Sequence, residues 1–266
     1  MISGEILSRK NPLAVHIKKL GADKTYREES AEFLCDGIKL LEEAVLRGAE
    51  ISAVLTAEPI NFALPENTKV YNTSHDIINS VSPLKNPQKT LFICKSKIFE
   101  TPEIISGKTY LLLDRIQDPG NAGTILRSAS AFGIEAVFLT DGCADPHNPK
   151  TIRASMGAVF KQKTCKPGMS ELITFKENGS KFIAAVLNDK ANDVTRANLT
   201  GNIIVIGNEG QGISEEIFAL FCDFVKIPIS ADCESLNAAV AASILIWEAT
   251  RHPDTPGGHG LIEKTV

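Results

Sequence analysis

The sequence lacks the residue spacings that mark metal sites and disulfide frameworks. Its six cysteines contain no C-x-x-C pair, and no two histidines four residues apart lie near any of them. Scattered thiols of this kind are usually small hydrophobic core residues, so we predict free cysteines and no bound metal.

Long apolar runs are also absent. The longest stretch without a charged residue, positions 235–247, has 13 residues, whereas a membrane-spanning helix needs about 20. The first ten residues contain no apolar signal-peptide core. We therefore expect a cytoplasmic protein with no membrane partner.

Aromatic content and net charge are both low. An aromatic fraction of 6% disfavours a mode of nucleic-acid binding that depends on stacking successive bases. The 28 basic and 32 acidic residues leave a net charge of −4, and an apolar fraction of 43% is ordinary for a globular chain. Disordered, collagen-like and coiled-coil classes are thereby excluded, and 266 residues suit one large domain or two modest ones.

The chain divides into two parts with different patterns. Positions 1–98 are typical of a small mixed α/β domain, with helices predicted near 11–20 and 38–48 and strands near 31–35, 51–55 and 91–94. The stretch 99–108, which contains Pro102 and Gly107, is the predicted linker. Positions 252–266 are expected to form a mobile tail.

From position 109 to 251, apolar runs alternate with helical segments. The runs cover 110–113, 136–139, 182–187, 203–206 and 224–227, and helical candidates lie near 121–132, 150–159, 170–177, 214–221 and 235–250. This alternation predicts an α/β domain with a parallel sheet and right-handed crossovers. Because ligands in such folds bind at the carboxyl ends of the strands, the loops that follow the strands are the candidate site.

The first candidate loop runs from Asp118 to Arg127. Asn121 is predicted to cap a helix on which Arg127 lies six residues later, close to the same face. An amide and a guanidinium above a helix N-terminus suit the recognition of phosphate and ribose. A capped helix with a solvated arginine is the structural alternative.

Two further loops follow the last predicted strands. The segment 207–212 has three glycines in six residues, so its backbone can approach a ligand closely, although a tight turn would use them too. Its spacing differs from the dinucleotide-binding fingerprint, and Glu209 would repel a pyrophosphate, which disfavours a nucleotide-dependent oxidoreductase. The segment 227–237, with Ser235 as the predicted N-cap, leads into an alanine-rich helix that is either buried or at a subunit contact.

Taken in chain order, these three loops resemble a known family. The SpoU/TrmH family of RNA ribose 2′-O-methyltransferases has three motifs, and they are similar to LLLDRIQDPGNAGTILRSASAFG, IVIGNEGQGIS and KIPISADCESLNAAVAASILIWEATR of this chain. The resemblance covers residues 110–251. The substrate-binding N-terminal domain of members that act on ribosomal RNA is similar to the preceding segment IKKLGADKTYREESAEFLCDGIKLLEEAV.

The resemblance implies a fold, a cofactor and an assembly. The methyltransferase domain, 109–251, would be an α/β parallel-sheet domain of the SPOUT type with a deep trefoil knot. It would bind S-adenosyl-L-methionine and work as a homodimer. The domain 1–98 would be a small α/β domain of the ribosomal-protein-L30e-like type. Ribosomal RNA, 23S above all, is the favoured substrate, with transfer RNA, or RNA binding without catalysis, as the alternatives.

The resemblance also assigns site residues by position. The residues that match catalytic positions are Arg127, Asn121, Glu209, Ser235 and Asn237. The residues that match the cofactor pocket are Gly207, Ile227, Leu236, Leu139, Thr140, Gly142, Asn208, Gly210, Ile229 and Ala238.

Arg127 is the residue on which the chemistry is expected to depend most. Because a guanidinium stays protonated, we expect Arg127 to grip the neighbouring phosphate and orient the ribose hydroxyl rather than act as a base. No histidine lies in the three motifs, so the proton is expected to leave late, to Arg127, to water or to the substrate phosphate. Glu209 either orients Asn121 and Arg127 or braces the glycine loop.

Basic residues are unevenly distributed. Three stretches without a single acid contain several lysines and arginines, namely 6–22, 77–99 and 146–170. An RNA phosphate surface would use such stretches, whereas solvated faces are the structural alternative. The distribution of charge therefore agrees with an RNA partner although the net charge is negative.

Overall fold

The computed structural model describes residues 2–97, 99–186, 191–221, 223–230 and 232–251. The predicted tail 252–266, Cys222 and the end of the predicted strand 182–187 lie outside the described residues. The chain clusters into two compact units. The first contains the described residues up to 97 together with Asp145–Lys161, and the second contains Phe99–Ala144 and the described residues from Gln162 onward.

Strands and helices alternate along most of the chain. The strands are β1 (Ile2–Ile6), β2 (Glu32–Asp36), β3 (Ile51–Thr56), β4 (Lys69–Thr73), β5 (Thr90–Lys95), β6 (Tyr110–Leu113), β7 (Val137–Leu139), β8 (Thr164–Cys165), β9 (Phe182–Ala185), β10 (Asn192–Asp193), β11 (Ile203–Ile206) and β12 (Asp223–Lys226). The α-helices are α1 (Pro12–Ala22), α2 (Lys24–Ser30), α3 (Ile38–Leu46), α4 (His75–Val81), α5 (Pro119–Ala131), α6 (Pro149–Ser155), α7 (Met169–Glu177), α8 (Glu215–Phe218) and α9 (Ala238–Thr250).

The first unit is built on a five-stranded mixed sheet in the order β1-β4-β3-β5-β2. Strands β1, β4 and β3 are parallel, and β5 is antiparallel to both β3 and β2. One face of the sheet packs against α1 and α4 through Leu20 and Ile78, and the other packs against α3 through Leu41. Each helix thus buries one apolar stripe against the sheet.

The sequence identified about half of the elements of this unit. The predicted helices and strands match α1, α3, β2, β3 and β5, whereas β1, α2, β4 and α4 were not predicted. Strand β4 shows why, because its sequence KVYNT is largely polar and none of its residues is fully buried. β4 is a strand because its backbone pairs with β1 on one side and with β3 on the other, and periodicity does not reveal such pairing.

The segment Asp145–Lys161 clusters with the first unit, so the predicted domain 109–251 differs from the observed division. Ile152 of α6 is 1% exposed and packs in the same apolar cluster as Phe33 and Phe92. The buried Arg27 donates from Nε and Nη2 to Asp145 Oδ2, at 2.9 and 2.6 Å. Both the apolar side of the segment and its charged start are therefore satisfied inside this unit.

A polar cluster surrounds Glu32 on the edge strand β2. His16 Nε2 lies 2.8 Å from Glu32 Oε2, while Lys95 Nζ and Ser52 Oγ reach Oε1 at 2.8 and 2.9 Å. Burial by itself would raise the pKa of Glu32, but hydrogen bonds from Lys95, Ser52 and His16 outweigh it. The net result is a pKa below the usual range for this carboxyl.

The second unit contains a seven-stranded sheet in the order β10-β12-β9-β11-β6-β7-β8, and every pairing in it is parallel. The five predicted strands are confirmed as β6, β7, β9, β11 and β12. The two-residue strands β8 and β10 at the edges were not predicted. In the centre, β11 pairs with β6 from Ile203↔Tyr110 to Ile206↔Leu113, and both strands are completely buried.

Helices cover both faces of this sheet, which explains why its central strands are apolar throughout. Leu111, Leu113 and Ile204 pack against α5 and α9, whereas Tyr110 and Leu112 pack in the cluster that includes α7. Within the residues that the structure describes, no helix is long and apolar enough to cross a membrane. The parallel arrangement brings the carboxyl ends of β6, β9, β11 and β12 to one edge, where the predicted loops meet.

Candidate functional site at the carboxyl ends of the strands

A cavity of about 450 Å³ lies in the second unit, at the carboxyl ends of β9, β11 and β12. Its walls are mostly apolar and include Ile206, Ile213, Phe218 and Ala241. Six residues of the predicted cofactor group line it, namely Gly207, Asn208, Ile227, Ile229, Leu236 and Ala238. Two residues of the predicted catalytic group, Glu209 and Ser235, line it as well.

The glycine loop forms one wall of the cavity and folds back on itself. Asn208 and Gly212 exchange two backbone hydrogen bonds of 2.9 Å, and the Asn208 side-chain oxygen accepts from the N–H groups of Gly210 and Gln211. A Cβ on Gly207 would lie 2.6 Å from Ile213 Cγ1 and 2.7 Å from the carbonyl carbon of Gly212. Only glycine fits at position 207 in this closed loop.

A chain of hydrogen bonds joins the three predicted motifs beside the cavity. Asn121 Nδ2 donates to Glu209 Oε1 at 2.6 Å, and Asn237 Nδ2 donates to Asn121 Oδ1 at 3.0 Å. Asn121 comes from α5, Glu209 from the loop after β11, and Asn237 from the start of α9. The carboxylate accepts and each amide uses a defined donor, so the three side chains hold one another in fixed orientations.

The helix starts differ in two places from those predicted. Asp118, not Asn121, is the N-cap of α5, and its Oδ1 accepts from the Asn121 N–H at 2.8 Å. Proline at the first position of this helix sets its start, which leaves the Asn121 side chain free for Glu209. Asn237, not Ser235, caps α9 by accepting from the N–H groups of Ala239 and Val240. Asn237 therefore combines a cap with a contact to Asn121.

Arg127 lies on α5 and is exposed. Among the described residues its guanidinium has no hydrogen-bond or ion-pair partner, and Glu209 contacts Asn121 rather than Arg127. An unpaired guanidinium has all five N–H donors available for a phosphate or a hydroxyl.

Four residues of the predicted cofactor group, Leu139, Thr140, Gly142 and Gly210, are not among the residues that line this cavity. Leu139 ends β7 and is buried. Thr140 Oγ1 instead donates to Asp114 Oδ1 at 3.1 Å. Gly142, with φ +86°, lies beside Arg115, since a Cβ there would be 3.4 Å from Arg115 Cγ. The loop after β7 thus packs against the end of β6.

Asp114 is a site residue that the sequence reasoning missed. It follows β6 directly and is 1% exposed. Its Oδ2 accepts from the Ser214 N–H at 2.6 Å, so the carboxylate joins the end of β6, the loop after β7 and the start of α8. An acid placed directly after four apolar strand residues was the available signal.

Arg115 continues this connection toward the glycine loop. Its backbone has φ +55°, a left-handed conformation that is rare for a residue with a side chain. Its carbonyl oxygen accepts from Asn208 Nδ2 at 2.7 Å, and its Nη1 donates to Gln211 Oε1 at 3.3 Å. The glycine loop is therefore anchored to the end of β6. In the described part of the chain, no group of three or more His, Cys, Asp or Glu side chains could hold a metal ion.

An apolar cavity with a glycine wall at the carboxyl ends of parallel strands defines an α/β ligand-binding unit. Residues 108–247 match the model of the SpoU rRNA Methylase family, and residues 11–91 match the model of the MRM3-like substrate binding domain. The first match covers more than half of the chain. The chain belongs to the SpoU rRNA methylase family, which confirms the resemblance inferred from its motifs.

Two curated relatives match nearly the whole chain. An uncharacterized tRNA/rRNA methyltransferase of Synechocystis is 30% identical, with 95% of this chain and 96% of the relative covered. The 23S rRNA (guanosine(2553)-2′-O)-methyltransferase of Bacillus subtilis is also 30% identical, with 91% of this chain and 98% of the relative covered.

Solved structures match in fold as well. An rRNA methyltransferase from Sinorhizobium meliloti gives a TM-score of 0.82 at 27% identity, covering 94% of this chain and 98% of its own. An AdoMet-bound rRNA methyltransferase from Sinorhizobium meliloti gives a TM-score of 0.82 at 28% identity, covering 93% of this chain and 97% of its own. A TrmH-family RNA methyltransferase from Porphyromonas gingivalis, described as putative, gives 0.79 at 30% identity, covering 92% and 99%.

Proposed function

We propose that this chain transfers a methyl group from S-adenosyl-L-methionine to a ribose 2′-hydroxyl of ribosomal RNA, 23S RNA being the favoured substrate. The observation that carries the proposal is the cavity walled by Gly207, with the Glu209–Asn121–Asn237 chain of hydrogen bonds beside it, in a member of the SpoU rRNA methylase family. The Bacillus subtilis relative carries this activity in its name, and the Sinorhizobium meliloti neighbour binds AdoMet.

The cavity fits a nucleoside-sized cofactor. Its volume of about 450 Å³ lies in the range of small-molecule sites, and apolar side chains such as Ile227, Ile229 and Leu236 suit a purine ring. The absence of a Cβ at Gly207 lets the backbone form a close wall. Gly207, Leu236 and Ile227 would hold the cofactor. Leu139, Thr140 and Gly142 would support the pocket from the end of β7 and the loop after it, whereas Gly210 would contribute only its backbone N–H, which donates to Asn208 Oδ1 within the glycine loop.

The separate roles of the cofactor and of the protein follow from the chemistry of methyl transfer. When bound, S-adenosylmethionine supplies a sulfonium methyl group that is already activated for transfer. The protein therefore has to place the ribose hydroxyl in line with that methyl group and to let one proton leave. Asn121, held by Glu209 and Asn237, orients the hydroxyl, and Ser235 lines the cavity.

Arg127 has an electrostatic role in this scheme. Its exposed guanidinium, which has no partner among the described residues, grips the phosphate next to the target ribose and stabilises the oxygen as it loses its proton. Since a guanidinium is not a base at neutral pH, the proton leaves late, to the phosphate or to water. Glu209 acts on Asn121, because that amide is its hydrogen-bond partner.

The finer features of the proposal concern the fold and its assembly. A trefoil knot is supported by Ser235 and Leu236, which follow β12 and line the same cavity as Gly207. A homodimer is supported by Val240 and Trp247, which lie two turns apart on α9 and are 49% and 46% exposed. The first unit is proposed as an L30e-like RNA-binding domain, and the protein as cytoplasmic.

Two measurements test this function. Calorimetry should detect binding of S-adenosylmethionine, and separate incubations of total ribosomal RNA and of transfer RNA with labelled cofactor should give 2′-O-methylated nucleotides in the ribosomal RNA. Arg127→Ala should abolish methyl transfer while cofactor binding survives, because Arg127 does not line the cavity. Full turnover by this variant would contradict the assignment of Arg127, and labelled transfer RNA instead of ribosomal RNA would contradict the substrate.

A further inference from the structure

Two of the three basic stretches meet on the first unit. Arg153 of α6 donates from Nη1 to the carbonyl oxygen of Asn86 at 3.4 Å, so α6 lies against the loop between α4 and β5. In the same loop, Gln88 donates its backbone N–H to Asp36 Oδ1 at 2.8 Å. Burial raises the pKa of Asp36, and the positive charge of Arg153 opposes that rise. These contacts bring together stretches that lie far apart in the sequence.

The two sides of α6 differ in character. Lys150 and Arg153 are exposed and lie three residues apart, one turn of the helix. The buried side of the helix carries Pro149, Thr151, Ile152 and Ser155. In the described part of the chain, Arg153 makes one hydrogen bond and has no ion pair within 4.0 Å, so most of its five N–H donors remain available.

The neighbouring loop adds two more positive charges. Lys85 precedes Asn86 and Lys89 follows Gln88, and both lysines are exposed. The nearby carboxylate of Asp36 is turned inward, since Oδ1 accepts from the Gln88 N–H and Oδ2 is buried. Lys85, Lys89, Lys150 and Arg153 therefore form a cationic surface, called here the α6 basic surface.

Side-chain contacts attach the start of the segment Asp145–Lys161 to the rest of the first unit. Arg27 is 5% exposed and makes two hydrogen bonds to Asp145, while the ring of His147 stacks on Phe33 with centroids 4.4 Å apart. The core position of Ile152 fixes the helix that follows. The basic side chains are thus displayed by a rigid support, which lowers the entropy lost on binding.

We propose that the α6 basic surface binds the phosphate backbone of structured RNA and holds the substrate for methylation. The inference rests on the proposed function, and it adds a specific contact surface on the first unit. None of these four exposed cations has a salt bridge among the described residues, although Arg153 keeps a longer-range attraction to the carboxylate of Asp36. Such a group of cations matches the regular anionic backbone of a folded RNA. A surface of this kind contributes affinity and positioning and leaves the choice of base to other contacts.

The expected effect follows from counterion release. Each phosphate contact contributes about 0.7–0.9 to the slope of log affinity against log salt. Between 1 M and 0.1 M salt, a slope of about 0.8 corresponds to roughly sixfold in affinity per contact. Removing two contacts should therefore lower the slope by about 1.6 and weaken binding roughly 40-fold at 0.1 M salt.

The test compares two double variants of the full chain. Lys89→Gln with Lys150→Gln removes two charges of the surface without touching Arg153, which packs against Asn86. Lys69→Gln with Lys181→Gln is the matched control, because both lysines are exposed and unpaired among the described residues. Binding of deproteinised, fragmented and end-labelled ribosomal RNA is measured from 0.05 to about 0.5 M salt, a range in which phosphate contacts dominate.

Lys89→Gln with Lys150→Gln should lower the affinity for RNA and the slope of log affinity against log salt by the calculated amounts. The control double variant should match the wild type. In the methylation assay, KM for RNA should rise while kcat and cofactor affinity stay unchanged. Equal slopes for the two double variants would show that the α6 basic surface does not bind RNA, while leaving the proposed function intact. RNA binding with the expected slopes but no methyl transfer would overturn the proposed function alone. Equally tight, surface-dependent binding of polyglutamate would indicate an acidic protein partner and overturn the inference.

Discussion

Gly207→Ala offers a direct test of the cofactor cavity. The added methyl group would come within 2.6 Å of Ile213 Cγ1 and 2.7 Å of the backbone carbon of Gly212. Since Gly212 is backbone and is hydrogen-bonded to Asn208, a flexible side-chain tip cannot absorb this overlap. The loop itself has to move.

The energetic cost should appear in cofactor binding. Ile213 and Gly212 both line the cavity, so a loop that shifts in the free protein has to return for the ligand to fit. Overpacking in a tight site costs about 1–3 kcal/mol. If cofactor binding forces the loop back into its strained position, this free energy is lost from binding. The affinity for S-adenosylmethionine then falls roughly 5- to 150-fold.

Gly210→Ala is the matched control from the same loop. A Cβ at Gly210 would meet only Asn208 Oδ1, at an ordinary distance of 3.7 Å, and the backbone N–H is retained. Calorimetry should show cofactor binding within about twofold of wild type for this variant. Circular dichroism and thermal unfolding check that both variants fold. Wild-type affinity in Gly207→Ala would refute the assignment of this cavity to the cofactor.

Three further predictions concern the Glu209–Asn121–Asn237 chain of hydrogen bonds and the first unit. Asn121→Ala should lower kcat about 100-fold with cofactor affinity retained. Glu209→Gln should lower kcat less, because glutamine keeps an acceptor for the Asn121 amide. Equal losses of kcat in the two variants would contradict the orienting role. Arg27→Ala should destabilise the first unit by about 3–5 kcal/mol in urea unfolding, because Asp145 becomes an unpaired, largely buried charge; a loss below about 1 kcal/mol would disprove this. Because the folded pKa of Glu32 is lowered, its stabilisation is present above the ordinary value of 4.5 and is lost as the pH falls through the lowered value. Glu32→Gln should therefore make the free energy of unfolding less dependent on pH in that range.

Several features of this protein follow from local sequence. Strands β6 and β11 were predicted to the residue, since a short uninterrupted apolar run between helical segments suits a central strand that is buried on both faces of a parallel sheet. The glycines of 207–212 indicated a close backbone approach, and the structure places Gly207 in the wall of the cavity. Each of these inferences depends on residues within a few positions of one another.

The helix starts show where local reasoning fails. Asn121 and Ser235 are good capping residues by type, yet Asp118 and Asn237 take those positions. Both helices begin where the chain path and the neighbouring loops allow, and capping propensity is too weak to decide between adjacent candidates.

What the sequence alone determined is the composition of the site: loops at the strand ends, glycines that let the backbone approach a ligand, and an amide, a carboxylate and a guanidinium nearby. Only the tertiary structure decided which of these touch. Asn121 meets Glu209 and Asn237 across 88 and 116 positions, and Arg27 meets Asp145 across 118. Such partners are set by the path of the chain through the sheet, because a hydrogen bond requires positions within about 3 Å that no local periodicity specifies.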